Sequence, residues 1–482
     1  MTKWIPPLLL IFATLGCATV GPDYFPPETG GIPSWHTELQ GGLSAGQTDP
    51  RTLAAWWKTL NDPQLSALME RATAGNLDLK EARARVREAR ARRGLAGTEL
   101  FPTLDANGSA TRSRSSEETG TGKTREFFAT GFDAGWELDL FGGVRRSIEA
   151  ADADLQAARE DLHDVLVSLL AETALNYVET RTYQARLTSA VANLKAQEET
   201  YELTRAQYLA GLSDELAVQQ ARYNLENTRS QIPDLRTGLE GALNRLAVLL
   251  GEQPGKIHAA LQEERPIPMT PTEIAVGVPA DLLRRRPDLR RAERELAAQT
   301  ARIGVATAEG YPKITLSGSI GLEALSSGDL LTAGSRTWSI GPRIVWPIFD
   351  AGAVRRNIEV QSALQEQALI RYETTLLSAL EEVENSLVAY VQEQRRRESL
   401  EAAARAAQSA VDLAQEKYRA GLIDFSGVLD AQRSLLNFQD QLARSEGTVT
   451  SNLVRLYKAL GGGWTPSVPE GDPSILSQGK NT

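Results

Sequence analysis

The sequence is poor in the residues on which most catalytic and metal sites depend. Its 482 residues include one cysteine, Cys17, and three histidines, at positions 36, 163 and 258. These residues lie in unrelated segments, which argues against a Cys/His metal cluster and against a Cys–His dyad. A single cysteine cannot form a disulfide within the chain. The net charge of −10 argues against a nucleic-acid binder, because such proteins need a basic face to displace counterions from phosphate.

Long apolar runs and aromatic residues are scarce as well. Aromatic residues make up 6% of the chain, and no segment reaches the ~18 consecutive apolar residues of a transmembrane helix. Lipid accepts only helices and closed sheets, so any membrane-spanning part of this chain would have to be a β-barrel. Long stretches are instead dominated by Ala, Leu, Glu, Arg and Gln, a composition typical of extended helices.

The first 16 residues have the pattern of a secretory signal. Lys3 precedes an apolar run over 8–12, and small residues lead to Cys17. The sequence Thr-Leu-Gly-Cys over 14–17 is similar to a bacterial lipobox, although leucine normally stands three positions before the cysteine rather than two. We therefore expect residues 1–16 to be removed and Cys17 to carry diacylglyceryl and N-acyl chains that anchor it to a membrane leaflet. The alternative is a plain signal peptide that happens to contain a cysteine.

The sequence contains an internal duplication. Shifting it by 210 residues against itself aligns many identical or similar residues without a gap. Chance does not hold one offset over so many positions, so the two halves form a tandem repeat. The aligned pairs include Phe101 with Tyr311, Trp136 with Trp346, Arg146 with Arg356, Tyr208 with Tyr418, Gly211 with Gly421 and Asp214 with Asp424.

The duplication sets the predicted domain organisation. The first repeat covers 62–254, and the second covers 279–464 after a linker over 255–278. An extended N-terminal segment over 17–61 precedes the repeats. A disordered tail over 465–482 follows them.

Each repeat has the pattern of a helix, a β-hairpin, a very long helix, a tight turn and a returning helix. The hairpins are predicted at 101–140 and 311–350. Residues 144–209 are helical in pattern without a proline, which would make a rod of about 100 Å. Ala-Gly-Leu at 210–212 and again at 420–422 supplies the glycine that ends the long helix and starts the turn.

Two prolines lie inside predicted elements. Pro233 falls in the returning helix of the first repeat and predicts a kink or a break there. Pro342 falls in the last predicted strand and predicts a bulge or a strong bend, because proline cannot donate to the ladder of a sheet.

The hairpins carry the alternation of a membrane strand. From 128 to 140 the even positions are mostly apolar or aromatic, whereas the odd positions are acidic or small, and the second hairpin repeats this parity. Each run is near the roughly 9–11 residues that cross a bilayer, with the apolar face toward lipid. A soluble, half-buried hairpin is the alternative for either run taken alone. The predicted membrane-facing residues are Phe128, Phe132, Trp136, Trp338, Ile340 and Trp346.

Four strands cannot close a barrel, because the smallest known membrane barrels have about eight. Two chains would supply eight strands and three would supply twelve. We therefore expect an oligomer that pairs the free strand edges. Side chains fill the interior of an eight-stranded barrel, whereas twelve strands leave a water-filled lumen.

Several motifs resemble those of the TolC-like outer-membrane efflux ducts. The resemblance is closest to the lipoprotein branch, OprM-like and NodT-type, of tripartite RND multidrug efflux systems, and it covers nearly the whole chain. The motifs are Cys17 followed by Val20-Gly21-Pro22-Asp23-Tyr24, Trp56-Trp57 with Asp62-Pro63-Gln64-Leu65, the arginine-rich stretch from Asp281 to Glu293, and the stretch from Leu456 to Trp464.

The resemblance implies a mixed fold, all-α with a membrane β-barrel. A homotrimer would form a twelve-stranded barrel in the bacterial outer membrane, standing on a twelve-helix α-barrel that extends into the periplasm. A belt around the middle would use 18–60, 255–278 and the C-terminal end. The chain would be both lipid-anchored and membrane-spanning.

The resemblance also implies a gate at the tips of the helical hairpins. In this family the tips close the periplasmic entrance until an adaptor and a pump engage them. Tyr418 matches the family's tyrosine latch, and Asp430 matches its constriction carboxylate. Three copies of Asp430 around an axis would favour cations, with a solvated side chain as the alternative. Tyr208 is the first-repeat equivalent of Tyr418.

The family's gate lock cannot be transferred whole to this sequence. The position of its arginine is occupied by Ile423, and one of its acidic positions is occupied by Gly427. Asp214 and Asp424, just after the two turns, are candidates to replace the missing groups. Both have an alternative interpretation as N-caps of the returning helices.

The function implied is that of a passive exit duct, not an enzyme, for drugs or other small molecules. Its partners would be a periplasmic adaptor (membrane fusion) protein, an inner-membrane RND pump and outer-membrane lipid. No cofactor or metal is expected beyond the lipid on Cys17, and no nucleic acid. A type I secretion duct and a metal-efflux duct are alternatives within the class, although no His/Met-rich stretch indicates metal handling.

Two other classes of function compete with a duct. A lipid-anchored coiled-coil scaffold of the cell envelope would explain the helices but not the apolar strand face. An enzyme would need paired carboxylates, for which Glu137 with Asp139, or Glu381, Glu382 and Glu384, are the candidates. Both sets have the simpler interpretation of solvated surfaces.

Overall fold

The structure of the chain is a computed structural model that describes residues 19–27, 34–46, 49–279 and 285–465. The expected signal peptide and the lipidation site at Cys17 lie outside the described residues, as does nearly all of the C-terminal tail. The helices and strands before the first long helix are, in chain order, β1 (Leu43–Ser44), α1 (Pro50–Ala54), a 3₁₀ helix (Trp56–Leu60), α2 (Pro63–Gly75), α3 (Leu77–Thr98), β2 (Thr103–Arg114) and β3 (Thr124–Leu138).

The remaining elements include two pairs of matching helices. They are α4 (Gly143–Leu209), α5 (Glu215–Leu249), α6 (His258–Leu261), β4 (Ile274–Ala275), α7 (Pro287–Ala308), β5 (Lys313–Ala324), a 3₁₀ turn (Ala333–Ser335), β6 (Arg336–Val345), α8 (Ala353–Arg419) and α9 (Phe425–Ala459). Helices α4 and α8 both have 67 residues, and α5 and α9 both have 35. Their ends differ by the same 210-residue offset as the sequence repeat, so the duplication is structural.

Contacts divide the chain into two compact units. The first contains the residues up to Thr29, Ala84–Arg159 and Arg291–Thr374, and the second contains Gly30–Arg83, Glu160–Arg290 and the residues from Thr375. The long helices α4 and α8 contribute to both units.

The first unit contains one antiparallel sheet in the order β2-β3-β5-β6. The two hairpins of the duplicated sequence are joined because β3 pairs with β5, from Phe128 opposite Ala324 to Leu138 opposite Ile314. Gly131 lies opposite Gly321 at this junction, and a Cβ on Gly131 would lie 2.7 Å from the carbonyl oxygen of Ile320. The two glycines thus allow the hairpins to approach.

The predicted bulge at Pro342 is wrong. The register between β5 and β6 runs without a slip from Lys313 opposite Val345 to Leu322 opposite Arg336, and it passes through Pro342 opposite Leu316. β6 is the last strand of the sheet. An edge strand tolerates proline, because part of its backbone has no hydrogen-bonding partner within the sheet.

The predicted helix break at Pro233 is also wrong. Helix α5 continues from Glu215 to Leu249 with Pro233 inside it. The buried side chains of Ile232, one position before the proline, and Leu235, two positions after it, pack beside Ala190 of α4. Burial of these side chains offsets the hydrogen bond that proline removes.

The second unit is built on a large apolar core. The indole of Trp56 stacks on the ring of Tyr457, with 5.3 Å between the centroids. The hydroxyl of Tyr177 donates to Asp62 over 2.6 Å, while the same carboxylate caps the start of α2. The short strands β1 and β4 pair in parallel at the edge of this core. Other buried members of the core are Leu65, Leu170, Leu246, Ile257, Val383, Leu387, Leu453 and Leu456.

Candidate functional site

The helical-hairpin tips in the second unit have the same geometry in both repeats. Helix α4 ends where the N–H of Gly211 donates to the carbonyl of Tyr208 (2.9 Å) and that of Leu212 to the carbonyl of Gln207 (2.8 Å). Helix α8 ends in the same two bonds, donated by Gly421 and by the leucine that follows it. Both glycines have a φ near 70°, which L side chains rarely adopt.

The two aspartates after the turns differ in role. Asp214 accepts a hydrogen bond from the N–H of Ala217 over 2.8 Å, so it is an N-cap of α5. Asp424 occupies the equivalent position of α9, but its side chain makes no capping hydrogen bond. Helix capping therefore accounts for Asp214 and leaves the carboxylate of Asp424 available at the tip.

Tyr418 connects the two repeats at the tips. Its hydroxyl donates to Oε1 of Gln207, near the end of α4, over 2.7 Å. Its ring lies 5.3 Å from that of Phe425, which begins α9. Phe425 in turn belongs to a buried cluster with Ala217 and Val428. The candidate latch is therefore held by one hydrogen bond and by apolar packing.

Asp430 lies on the exposed surface of α9, one turn from an arginine. Its carboxylate is 4.0 Å from the guanidinium of Arg433. Arg433 also donates to the hydroxyl of Tyr223 and, over 3.3 Å, to Oδ1 of Asn224, both on α5. Its guanidinium lies 4.9 Å from the centre of the Tyr223 ring. An arginine near the tip therefore ties α9 to α5.

Sequence reasoning missed Gln207 and Arg433. The structure brings Gln207 to Tyr418 but leaves the phenol of Tyr208 exposed, although Tyr208 is the repeat equivalent of Tyr418. Gln207 directly precedes a predicted gate residue, and Arg433 follows Asp430 by one turn. The spacing of one helical turn is a signal that could have identified Arg433, whereas no local signal identifies Gln207.

The aromatic residues predicted to face the membrane lie on and beside the sheet of the first unit. The side chains of Phe132, Trp338 and Ile340 are exposed, with Trp338 at 72%, while Phe128 is half-buried. Trp136 donates to the carbonyl of Leu100 over 2.9 Å, and Trp346, just after β6, donates to the carbonyl of Gly310 over 3.1 Å. These two hydrogen bonds are related by the 210-residue offset. They fix the two indoles at the same end of the sheet.

The arginine-rich motif joins three helices of the second unit. Arg286 is paired with Asp288 and with Glu382 of α8, each at 2.7 Å, and it donates to the carbonyl of Ala459 over 2.9 Å. Burial opposes the charge of the guanidinium, but Asp288 and Glu382 more than offset it, so the pKa of Arg286 lies above its usual range. The role of this arginine is structural.

The segment after Cys17 is fastened within the first unit. Arg146 of α4 has a buried side chain, which pairs with Asp23 over 2.7 Å and donates to the carbonyls of Val20 and Gly21. The hydroxyl of Tyr24 donates to Glu293 over 2.7 Å. Burial and this carboxylate together raise the pKa of Tyr24 above its usual range. We call this set of contacts the N-terminal clasp.

The carboxylates considered for an enzyme have structural partners. Asp139 accepts from the N–H groups of Val144 and Arg145, near the start of α4. Glu382 pairs with Arg286. Glu384 accepts from the N–H groups of two residues in the segment before β1. These three carboxylates cap or connect elements of the fold.

Within the described ranges, no helix is long and apolar enough to cross a membrane. Across the same part of the chain, no group of three or more His, Cys, Asp and Glu side chains is arranged to hold a metal ion.

Comparison with protein-family models identifies the family of the chain. One family, described as outer membrane efflux protein, matches the chain twice, at residues 68–252 and 278–462. The chain belongs to this family. The two matches fall on the two copies of the duplicated sequence. The family consists of channel proteins.

Relatives are similar over nearly the whole chain. Nodulation protein T of Rhizobium leguminosarum bv. trifolii is 33% identical over 475 residues, which cover 98% of this chain and 99% of that protein. The solvent efflux pump outer membrane protein SrpC of Pseudomonas putida is 32% identical over 469 residues, which cover 96% and 98% respectively.

Solved structures of the family have the same fold. The outer-membrane channel OprN superposes with a TM-score of 0.87 at 38% identity, over 93% of this chain and 100% of that one. The open state of the MtrE outer membrane channel of Neisseria gonorrhoeae superposes with a TM-score of 0.81 at 28% identity, over 93% and 99%. These matches confirm the predicted TolC-like fold class.

Proposed function

We propose that this chain is the outer-membrane subunit of a tripartite efflux pump, in which three copies form a passive exit duct. The observation that carries the proposal is the sheet of the first unit, which has four strands and two unpaired edges, β2 and β6. Pairing β6 of one copy with β2 of the next would bury these edges. Three copies give twelve strands, which is enough for a water-filled lumen.

The face of the sheet supports a membrane location for the strands. The exposed aromatic and aliphatic side chains of Phe132, Trp338 and Ile340 occupy even positions, and aspartate and glutamate occupy odd positions such as 133 and 137. Apolar side chains toward lipid and polar ones toward water are the pattern of a membrane barrel. The indoles of Trp136 and Trp346 would then lie at the membrane interface, where tryptophan is favoured.

Lipidation of Cys17 would add a second attachment to the same membrane. The N-terminal clasp begins only a few residues after Cys17, at Val20 and Gly21. Acyl chains on Cys17 would therefore be tethered close to the first unit, which contains the sheet.

Closure of the duct is assigned to the tips of the hairpins. Tyr418 and Gln207 would hold the closed arrangement, while Asp424 and Asp430 would supply carboxylates at the entrance. A periplasmic adaptor and an inner-membrane RND pump are the expected partners, since a duct without chemistry of its own needs an energy source. Binding of the adaptor at the tips would open the entrance.

Drugs and other small molecules are the proposed cargo. A relative named cation efflux system protein CusC, of Escherichia coli O6:H1, is 32% identical over 461 residues, so metal cations are the competing cargo. Deleting the gene and measuring resistance separates the two. Sensitivity to solvents and antibiotics supports the proposal, whereas sensitivity to metal salts alone supports the alternative.

Native mass spectrometry of the protein extracted from outer membranes tests the assembly. We expect a mass of three chains, each carrying diacylglyceryl and N-acyl groups on Cys17. A mass of three unlipidated chains would support the duct and contradict the lipid anchor. A single unlipidated chain would contradict the duct and favour the envelope scaffold.

A further inference from the structure

A groove between α4 and α9 of the second unit is lined by three arginine side chains. Arg186 lies on α4, and Arg444 and Arg455 lie on α9. Leu175 and the ring of Tyr183 add apolar surface beside them. The groove has a volume of about 380 Å³, which is within the ~300–1,000 Å³ of ligand pockets. We call it the arginine groove.

One carboxylate positions two of these arginines. Asp440 accepts a hydrogen bond from Nε of Arg186 over 2.6 Å and lies 2.8 Å from Nε of Arg444. Within the described ranges, no hydrogen bond is found for the terminal nitrogens of either guanidinium group. Arginine binds carboxylates and phosphates through such N–H groups, often two at a time. Asp440 therefore orients both side chains and leaves donors for a ligand.

Arg455 has no ion-pair partner among the residues that the structure describes. Its equivalent in the first repeat, Arg245, is paired with Glu172 of α4. The second-repeat equivalent of Glu172 is Glu382, but this carboxylate is paired with Arg286 instead. The arginine-rich motif thus takes the carboxylate that Arg455 would otherwise use. A guanidinium group without a carboxylate in contact is left at the groove.

The arginine groove opens on the side of the helices that faces away from the linker over 255–278. On α4, Arg181 and Gln184 donate to carbonyls of the linker over 2.7 and 2.8 Å. At about 100° of rotation per residue, Arg186 lies at least ~140° from both positions. On α9, Thr450 donates to the linker over 2.9 Å, and Arg444 lies ~120° from it. A linker on the inner side would obstruct the proposed duct, so the groove faces the lumen.

We propose that the arginine groove is a binding site in the lumen for small organic anions, which it holds by a carboxylate, sulfonate or phosphate group. The three arginines face one carboxylate beside the groove, Asp440, and one within it, Glu179, so each copy has an excess charge of 3 − 2 = +1. The hydroxyl of Ser451 also lines the groove, and it makes no hydrogen bond among the described residues. The inference names a class of cargo and rests on the proposed duct function.

Two dyes of opposite charge test the site on the purified, detergent-solubilised protein. Fluorescein is an anion and rhodamine 6G is a cation, and the two share one ring system. Fluorescence anisotropy at low ionic strength measures the binding of each dye. We expect saturable binding of one fluorescein per chain and no saturable binding of rhodamine 6G over the same concentrations. Equal binding of both dyes, or saturable binding of neither, would overturn the proposal.

Substitutions show whether the dye occupies the groove. Arg455→Gln should weaken fluorescein binding at least about fivefold, because a charge-assisted contact is lost. Arg405→Gln removes the same charge from an exposed position of α8, where the arginine is paired with Glu401, and should change the affinity less than about twofold. Glu179→Gln should tighten binding at least about twofold, since it removes a like charge from the site. All variants are compared at equal oligomer mass and melting temperature.

Two results with these variants would overturn the site. Equal weakening by Arg455→Gln and Arg405→Gln would assign the binding to net charge alone. Unchanged affinity in Glu179→Gln would place the dye outside the groove.

Export from cells separates failure of the groove from failure of the duct. We expect Arg455→Gln to lower export of carboxyfluorescein, an anion, at least threefold and to leave export of ethidium, a cation, unchanged. Equal loss of both would contradict a role of the groove in selecting cargo. If the unsubstituted chain exports neither compound, the proposed duct function fails, and the binding of fluorescein to the purified protein still decides whether the groove is an anion site.

Discussion

The hydroxyl of Tyr418 lies 2.7 Å from Oε1 of Gln207 and joins the tip of one repeat to the tip of the other. Ile423, two positions after the turn glycine Gly421, occupies the position of the family's gate arginine. The contact that joins the two tips at Tyr418 is therefore a neutral hydrogen bond. A neutral bond is weaker than an ionic one, so it should hold the two tips together less firmly than an ion pair would.

Removing this hydrogen bond should make the duct leak. In Tyr418→Phe the closed arrangement loses about 1 kcal/mol per protomer, which is roughly a fivefold change in the closed–open equilibrium. We expect larger resting conductance in planar bilayers and greater sensitivity of cells to bulky antibiotics. Tyr208→Phe is the matched control, because the Tyr208 side chain is exposed and makes no hydrogen bond among the described residues. Equal leakage from both variants would show that the hydroxyl of Tyr418 does not hold the gate closed.

Arg146→Ala should release the N-terminal clasp. The buried guanidinium holds Asp23 and two backbone carbonyls, and losing these charge-assisted bonds costs about 2 kcal/mol. The segment should then detach roughly thirtyfold more often, at 1.4 kcal/mol for each factor of ten. Limited proteolysis of the purified protein measures the release.

The second repeat supplies the control for this change. Arg356 is the equivalent of Arg146, and its pair with Glu359 corresponds to the pair of Arg146 with Glu149, but its side chain is 77% exposed. Arg356→Ala should therefore leave the rate of N-terminal cleavage unchanged. If both variants are cleaved at the same rate, the clasp does not hold the segment.

Arg286→Ala should destabilise the second unit. The substitution removes the ion pairs of Arg286 with Asp288 and Glu382 and its hydrogen bond to the carbonyl at the end of α9. We expect a loss of about 3 kcal/mol in the free energy of unfolding, read as a lower melting temperature. Arg355→Ala removes an exposed pair, at 86% exposure of the arginine, and should cost less than 1 kcal/mol. Equal melting temperatures would show that the arginine-rich motif has another role.

Acid should detach the segment before β1 from α8. Burial raises the pKa of Glu384, but hydrogen bonds from Thr37 and His36 outweigh it, so the net pKa is lowered from 4.5. A lowered folded pKa means that the stabilisation is complete above about 4.5 and is lost as pH falls through the folded value. Glu384→Gln should therefore flatten the acid limb of the plot of unfolding free energy against pH. An unchanged acid limb would assign the acid sensitivity to other groups.

The sequence predicted the elements of the fold better than the contacts between them. The 210-residue offset and the glycines at 211 and 421 place helices and turns, because local patterns determine both. The helix break predicted at Pro233 and the bulge predicted at Pro342 do not occur, since packing beside a helix and position in a sheet cannot be deduced from local sequence. The membrane-facing residues and the lipid on Cys17 remain predictions.

The candidate gate was only partly predictable for the same reason. Tyr418 could be identified from its motif, but its partner Gln207 lies 211 residues away on another helix. That pairing depends on the register of two long helices. A one-residue shift would present a different side chain, and no local signal determines the shift.

The equal lengths of α4 and α8, 67 residues each, make this protein intolerant of unpaired insertions. One residue added to a single long helix would carry its tip about 1.5 Å farther and turn it by about 100°. Gln207 would then no longer reach Tyr418, and the other side-chain contacts of α4 with the second repeat would be misplaced as well. Changes in length should therefore occur in both halves of the gene at once, so that the two long helices keep equal lengths.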